Sequence, residues 1–242
     1  MTRVPRTLAR LVVYLMVVAA TACVPRPPAP AQPVGAFPPD FVSSFYSTVP
    51  PEDVFRIVPS RTKLTVKVYR SGALAALGHN HVIISRELDG FVYLADDMSK
   101  ARADLFVPVT GFIVDDAAER TAAGPDFATQ PGPSDIEGTR TNMLGPKLLN
   151  SEQWPFLVIH VTPMHVGPDS TQVTLAITVR DHVATIPVDA HWQRTGSELT
   201  IESAFKVDHA TLDLEPFSAL GGAMRVADQI DIAVSITATT AG

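Results

Sequence analysis

Cysteine is almost missing from this 242-residue chain: Cys23 is the single one, which excludes an intrachain disulfide framework and a zinc site built on several thiolates. There is no run of lysine or arginine either. Nineteen cations stand against 25 acids, for a formal charge of −6, so the clustered cations on which phosphate-backbone binding depends are absent and nucleic acid is not an expected partner. The longest apolar run, residues 11–22, is about a dozen residues and too short to cross a bilayer. No Gly-x-Ser-x-Gly elbow, P-loop or zincin His-Glu pair occurs, and there is no repeat of fixed length. Aromatic residues make up only 7% of the chain, yet apolar residues as a whole reach 46%, enough for the core of one large domain.

The first segment is organised for transport. Arg3, Arg6 and Arg10 precede the apolar run with no acid among them, the pattern of a signal peptide over residues 1–22. The run ends Ala20-Thr21-Ala22-Cys23, which resembles the bacterial lipobox, with Cys23 as the lipidation site and mature N-terminus; ordinary cleavage after Ala22, leaving a free thiol, is the alternative. Loss of residues 1–22 removes three arginines and no acid, leaving 16 cations against 25 acids, a charge of −9. Val24-Pro25-Arg26-Pro27-Pro28-Ala29-Pro30, followed by Pro33, Pro38 and Pro39, favours extended polyproline II and cannot form a core. Residues 23–52 are therefore expected to be a spacer between a lipid anchor and a domain over residues 53–242. Val24 after the cysteine suits an outer-membrane lipoprotein on the periplasmic side of a bacterial envelope.

From residue 53 onward the dominant signal has period two. Leu64, Val66 and Val68 alternate with Thr65 and Lys67, and Val173, Leu175, Ile177 and Val179 with Thr174 and Thr178. Ile186 to Trp192, Leu199 to Phe205 and Ile230 to Ile236 behave alike, as strands with one buried face do. Weaker runs at 54–58, 82–86, 90–94, 103–109 and 157–166 bring the count to roughly ten. Gly167-Pro168-Asp169-Ser170 and Thr195-Gly196-Ser197 are turn sequences that join neighbours as antiparallel hairpins. Closing such a sheet on itself removes its edges, so the expected fold is all-β, an antiparallel barrel. Two stretches depart from alternation: Asp116-Ala117-Ala118-Glu119-Arg120, and Pro133-Ser134-Asp135-Ile136-Glu137, where proline and acids sit as in a first helical turn. One or two short helices there would lay Met143, Leu144, Leu148 and Leu149 over an open end of the barrel, or merely fill its core.

The order of these features resembles that of the YceI-like domains, the lipocalin-like, polyisoprenoid-binding family. The likeness is carried by Phe55-Arg56-Ile57-Val58-Pro59-Ser60 and Leu64-Thr65-Val66, and by the stretch from Thr141-Asn142-Met143 to Trp154-Pro155-Phe156. Phe205-Lys206-Val207-Asp208-His209 and Val226-Ala227-Asp228-Gln229-Ile230 complete it. The resemblance implies an extended barrel with a long apolar tunnel for an isoprenoid quinone or another long-chain amphiphile, and no catalytic residues.

Several side chains are candidates for a site. His79 and His81, two apart at the start of a strand, would point to one face. They could order a loop, meet a ligand head group at a tunnel mouth, or chelate a metal with His160, His165 or His209 as a third ligand. Arg70 and Asn80 could meet a phosphate or carbonyl. Asp181-His182 and Asp208-His209 face opposite ways on a strand and do not form triads, and Asp96-Asp97 and Asp115-Asp116 fit solvated loops. Trp154 and Trp192 fit core packing. Three readings follow: a lipid-binding barrel, a metal-dependent or redox-assisting envelope protein built on His79 and His81, and a filled barrel whose acidic surface meets a basic partner.

Overall fold

The alternation of the sequence is expressed as strands. The computed structural model describes residues 37–38, 41, 43–167 and 170–240. In chain order its elements are β1 (Val54–Ile57), β2 (Lys63–Val68), β3 (Arg70–Ser71), β4 (His81–Ser85), β5 (Asp89–Tyr93), β6 (Arg102–Pro108), β7 (Ile113–Val114), α1 (Ala117–Ala123) and α2 (Pro133–Leu144). They continue as β8 (Phe156–Val166), β9 (Ser170–Val179), β10 (His182–Thr195), β11 (Glu198–Asp208), β12 (Ser218–Ala219), β13 (Met224–Val226) and β14 (Gln229–Thr240).

Eight strands close a ring in the order β1, β5, β6, β8, β9, β10, β11, β14, with β14 returning to β1. Every pairing is antiparallel, β8 and β9 are neighbours in both chain and sheet, and β10–β11 is a hairpin at Thr195-Gly196-Ser197. β11 flanks β14 along its whole length, from Asp208↔Gln229 to Glu198↔Thr239. The other side of β14 is shared: β2 occupies Asp231 to Ser235 and β1 occupies Ala238 to Thr240. β1 and β2 thus behave as one strand bent at Pro59, and buried Thr62 bridges the bend, its Oγ1 accepting from Thr237 N at 3.2 Å. β4 and β7 extend the sheet from β2. Gly90 in β5 has φ +140°, and a Cβ there would lie 2.1 Å from the Asp104 carbonyl oxygen, so only glycine lets β5 close on β6.

Two helices interrupt the strands where expected. Asp116 caps α1, its carboxylate accepting from Ala118 N at 3.0 Å and Glu119 N at 3.1 Å. Pro133 opens α2 at its first turn. Arg140 ties α2 to the end of β6 by donating to the carbonyls of Phe112 and, at 2.7 Å, Thr110. Apolar side chains of β9, β10, β11 and β14 point inward with Met143 and Leu149. On the outer face of β4, Val82 and Ile84 pack under Phe127 as a separate small cluster.

The sequence-based spacer over residues 23–52 extends too far. Phe37 stacks on Phe41 and on Phe91, Phe41 lies tilted against Phe91, both meet Phe106 edge-on, and Tyr46 is buried. Proline content argued for extension, but four aromatic rings between residues 37 and 46 find a flat apolar surface on the outside of β5 and β6, and their burial outweighs it. The signal segment and Cys23 lie outside the described residues.

Candidate ligand-binding cavity

The inner rows of the barrel do not fill it. A cavity of about 290 Å³ remains, at the lower end of the size of ligand pockets. It follows from side-chain size: the inward positions are mostly Val, Ile, Leu and Ala, and few rings enter. On β9 the lining runs without a break through Thr171, Val173, Leu175, Ile177 and Val179, roughly 26 Å of strand at the usual rise. β11 contributes Leu199, Ile201, Ser203 and Phe205, and β14 Ile230, Ile232, Val234 and Ile236.

The polar groups in this wall are nearly all engaged. Arg102 donates through Nε and Nη2 to Asp104 Oδ2 at 3.0 and 2.7 Å and lies 4.4 Å from the Phe45 ring centroid. Trp192 Nε1 donates to Thr171 Oγ1 at 3.1 Å, and Ser203 Oγ to the Asp189 carbonyl at 2.7 Å. His209, only 6% exposed, differs. Its Nδ1 lies 2.8 Å from the Asp228 carbonyl; a carbonyl only accepts, so Nδ1 donates, and in that tautomer Nε2 is the acceptor. His209 and Leu214 also belong to an adjoining polar recess with Lys147, Arg180, Asp213, Glu215 and Asp228. Arg180 donates to the Asp213 carboxylate at 3.1 Å, while its Nε is buried with no partner among the described residues. One end of the apolar cavity therefore meets a charged vestibule.

The sequence-derived site residues divide. Met143 and Leu148 line the cavity, as does Leu149. Leu144 does not; it packs against the core beside them. Arg70, His79, Asn80 and His81 lie outside the lining and order the loop before β4. Arg70 N donates to Asn80 Oδ1 at 3.0 Å, Arg70 Nη1 to the Gly78 carbonyl at 2.7 Å, and Asn80 Nδ2 to the Asp126 carbonyl at 2.9 Å. His81 Nδ1 is held 2.6 Å from Asp115 Oδ2, and its Nε2 lies 3.5 Å from Thr139 Oγ1 of α2. The His79 and His81 ring centroids are 6.3 Å apart. Among the described residues no three His, Cys, Asp or Glu side chains gather as a metal site would need. His160 is taken by Asp104.

Asp115 departs most from expectation. Its side chain is fully buried, not solvated. Left-handed backbone at φ 56° turns the carboxylate under β4, where Oδ1 accepts from Val82 N at 2.9 Å and from Arg120 Nη1 at 2.5 Å. Burial pushes the carboxyl up, but hydrogen bonds from His81 and Val82 and the neighbouring Arg120 outweigh it and hold the pKa below the ordinary carboxylate value. Arg120, 2% exposed, also donates to the carbonyls of Asn80, at 2.7 Å, and Thr129. This is a structural knot binding β4 to α1, and the sequence carried no period that singles it out. Outside β5 and β6, Tyr46 donates to Asp104 Oδ2 at 2.6 Å; burial, and then Asp104, raise its phenol far above the usual range.

No family model and no curated protein sequence matches this chain. Among solved structures it is similar to BcnA of Burkholderia cenocepacia, with 12% identity and a TM-score of 0.55 over 76% of this chain and 99% of that one. It is also matched to the YCEI protein of Campylobacter jejuni, with 8% identity and a TM-score of 0.44 over 63% of this chain and 80% of that one. The first likeness establishes a shared fold: an all-β, lipocalin-like antiparallel barrel.

Proposed function

We propose that this chain is an exported YceI-like binding protein of the bacterial envelope that holds a long-chain amphiphile, an isoprenoid lipid or isoprenoid quinone, inside its barrel. One observation carries this reading: a continuous apolar wall around an unfilled interior that opens on a charged recess at one end. Apolar walls supply affinity at about 25 cal/mol per Å² of ligand surface removed from water, and a few polar groups fix orientation. The tail lies along β9 and β11, and the polar head lies at the His209 end, where Nε2 accepts from the hydroxyl of a polyprenol or of the reduced quinol. No group in the wall is arranged for bond-making, so the role is binding and carriage, not catalysis. The signal segment exports the chain, and acylation of Cys23 tethers it to the outer membrane on the periplasmic side.

The test is mass spectrometry of an organic extract of the purified protein. Stoichiometric apolar mass of isoprenoid character supports the reading. An empty extract, together with no rise in melting temperature on adding a polyprenol or an isoprenoid quinone, overturns it; a ligand at 100 times its Kd stabilises by about 2.7 kcal/mol. In cells fed a labelled fatty acid the wild-type chain takes up label and Cys23→Ser does not if the anchor is as proposed; an unlabelled wild-type chain refutes it.

A further inference from the structure

β3, β12 and β13 form a separate three-stranded sheet, Ser218 pairing with Arg225 and Arg225 with Ser71. They join two loops at the His209 end of the barrel. The loops touch closely: Leu74 N donates to the Ala223 carbonyl at 2.7 Å, and Gly72, at φ +94°, would place a Cβ 2.5 Å from that same oxygen. Seven large apolar side chains are exposed among the described residues, and four of them belong to this lobe: Leu77 at 68%, Leu220 at 67%, Phe217 at 46% and Leu74 at 39%. Single exposed leucines are ordinary, but a cluster on one lobe marks an interaction surface.

The charge of the lobe is opposite to that of the body. Residues 71–80 and 216–227 contain no aspartate or glutamate, and the cations there and beside them are Arg70 and Arg225. Both are exposed, and neither has an ion-pair partner among the described residues. The acids that flank the second stretch, Glu215 and Asp228, line the recess. An apolar tip flanked by two arginines that make no ion pair among the described residues, on a chain of net charge −6, complements an interface that is apolar inside and anionic at its surface. An anionic bilayer attracts the tip and repels the body, which fixes the orientation as well as the contact.

We infer that the lobe formed by Leu74, Leu77, Phe217 and Leu220 docks on a bilayer containing anionic lipid, inserting these side chains with Arg70 and Arg225 at the headgroups. Pro216, next to Phe217, lines the recess, and Val68, two residues before Arg70, lines the cavity. Docking therefore brings the cavity end to the membrane. What passes there rests on the amphiphile-binding reading above; the docking itself does not.

The experiment uses the full chain with Trp154→Phe and Trp192→Phe, so that each introduced probe is its one tryptophan: Leu77→Trp or Leu220→Trp at the lobe and Ser197→Trp in the exposed hairpin at the other end of the barrel. Because residues 1–23 can bring the protein to a vesicle by themselves, the readout is local: emission shift, and quenching by lipids brominated in the acyl chain. With vesicles of phosphatidylglycerol and phosphatidylcholine, the lobe probes shift blue and are quenched several-fold more than the residue-197 probe. Arg225→Glu, or Leu220→Asp combined with the residue-77 probe, removes the difference, with far-UV circular dichroism verifying the fold. Equal quenching at both ends overturns the proposal, as does insertion indifferent to phosphatidylglycerol. A blue shift that tracks protein concentration without vesicles assigns the patch to a second copy and overturns it too. Extractable amphiphile with no lobe insertion refutes docking alone, and insertion with an empty extract and no ligand-induced rise in melting temperature refutes only the carrier reading.

Discussion

Ala190→Phe tests whether the barrel is a container. Ala190 lies on the inner face of β10 opposite Thr171 and borders the cavity. A phenylalanine there projects a ring into space the ligand is proposed to use. Aromatic side chains bury about 150–250 Å², and if roughly 100 Å² of that replaces ligand–wall contact, at about 25 cal/mol per Å² the ligand loses about 2.5 kcal/mol. That is roughly a 70-fold weaker Kd. The delipidated protein responds in the opposite sense: a ring entering empty apolar space finds new contacts, so unfolding in urea shows unchanged or higher stability. A side-chain-filled interior gives the reverse pair of results, since overpacking a full core costs about 1–3 kcal/mol. The assay is urea unfolding of the delipidated variant alongside ligand titration of the same preparation. A fall in stability of that size with ligand affinity unchanged refutes the hollow-barrel reasoning.

Arg120→Met leaves the fully buried Asp115 carboxylate short of its guanidinium partner, and removing one member of a buried pair costs about 3–5 kcal/mol; Asp115→Leu combined with Arg120→Met costs less than Arg120→Met alone, as urea midpoints will record. The depressed pKa of Asp115 means that its contribution to stability is complete above about pH 4 and disappears as pH falls through the folded-state value. Asp115→Asn therefore flattens the acid limb of a stability-against-pH curve measured below about pH 4, and an unchanged limb refutes the assignment. Tyr46→Phe removes the hydroxyl from Asp104 and costs about 1–3 kcal/mol, with faster proteolysis of residues 37–48 as the specific sign that this segment has lifted from β6.

Much of the architecture is written as local pattern. Val173, Leu175, Ile177 and Val179 declare a one-faced strand, Thr195-Gly196-Ser197 a hairpin, and Asp116 and Pro133 two helix starts, because each is decided by neighbours within a few residues. The site is less legible. Alternation identifies the inward row but not whether opposite rows meet, since that depends on summed volumes across the barrel. His79 and His81 have the spacing of a chelating pair, but Asp115, 34 residues beyond His81, takes His81 into a structural network. His209 reads as half of an Asp-His doublet, and its place in the cavity wall follows from the bend after β11. Phe37, Phe41 and Tyr46 are hidden among prolines, because composition averages over the rings that dock.

The seam between β1 and β14 imposes an order on assembly. The hoop is closed by Phe55↔Thr240, Arg56↔Thr239 and Ile57↔Ala238, pairs drawn from opposite ends of the described domain. Such contacts carry the greatest loop-closure cost and form late. Under the export proposed above, the N-terminus leads and β1 waits unpaired on one side until β14 arrives, so the interior is walled only in the final step. Until then the growing sheet is an open trough of Val, Ile and Leu, and a hydrophobic guest present at that moment is enclosed as the last strand zips into place.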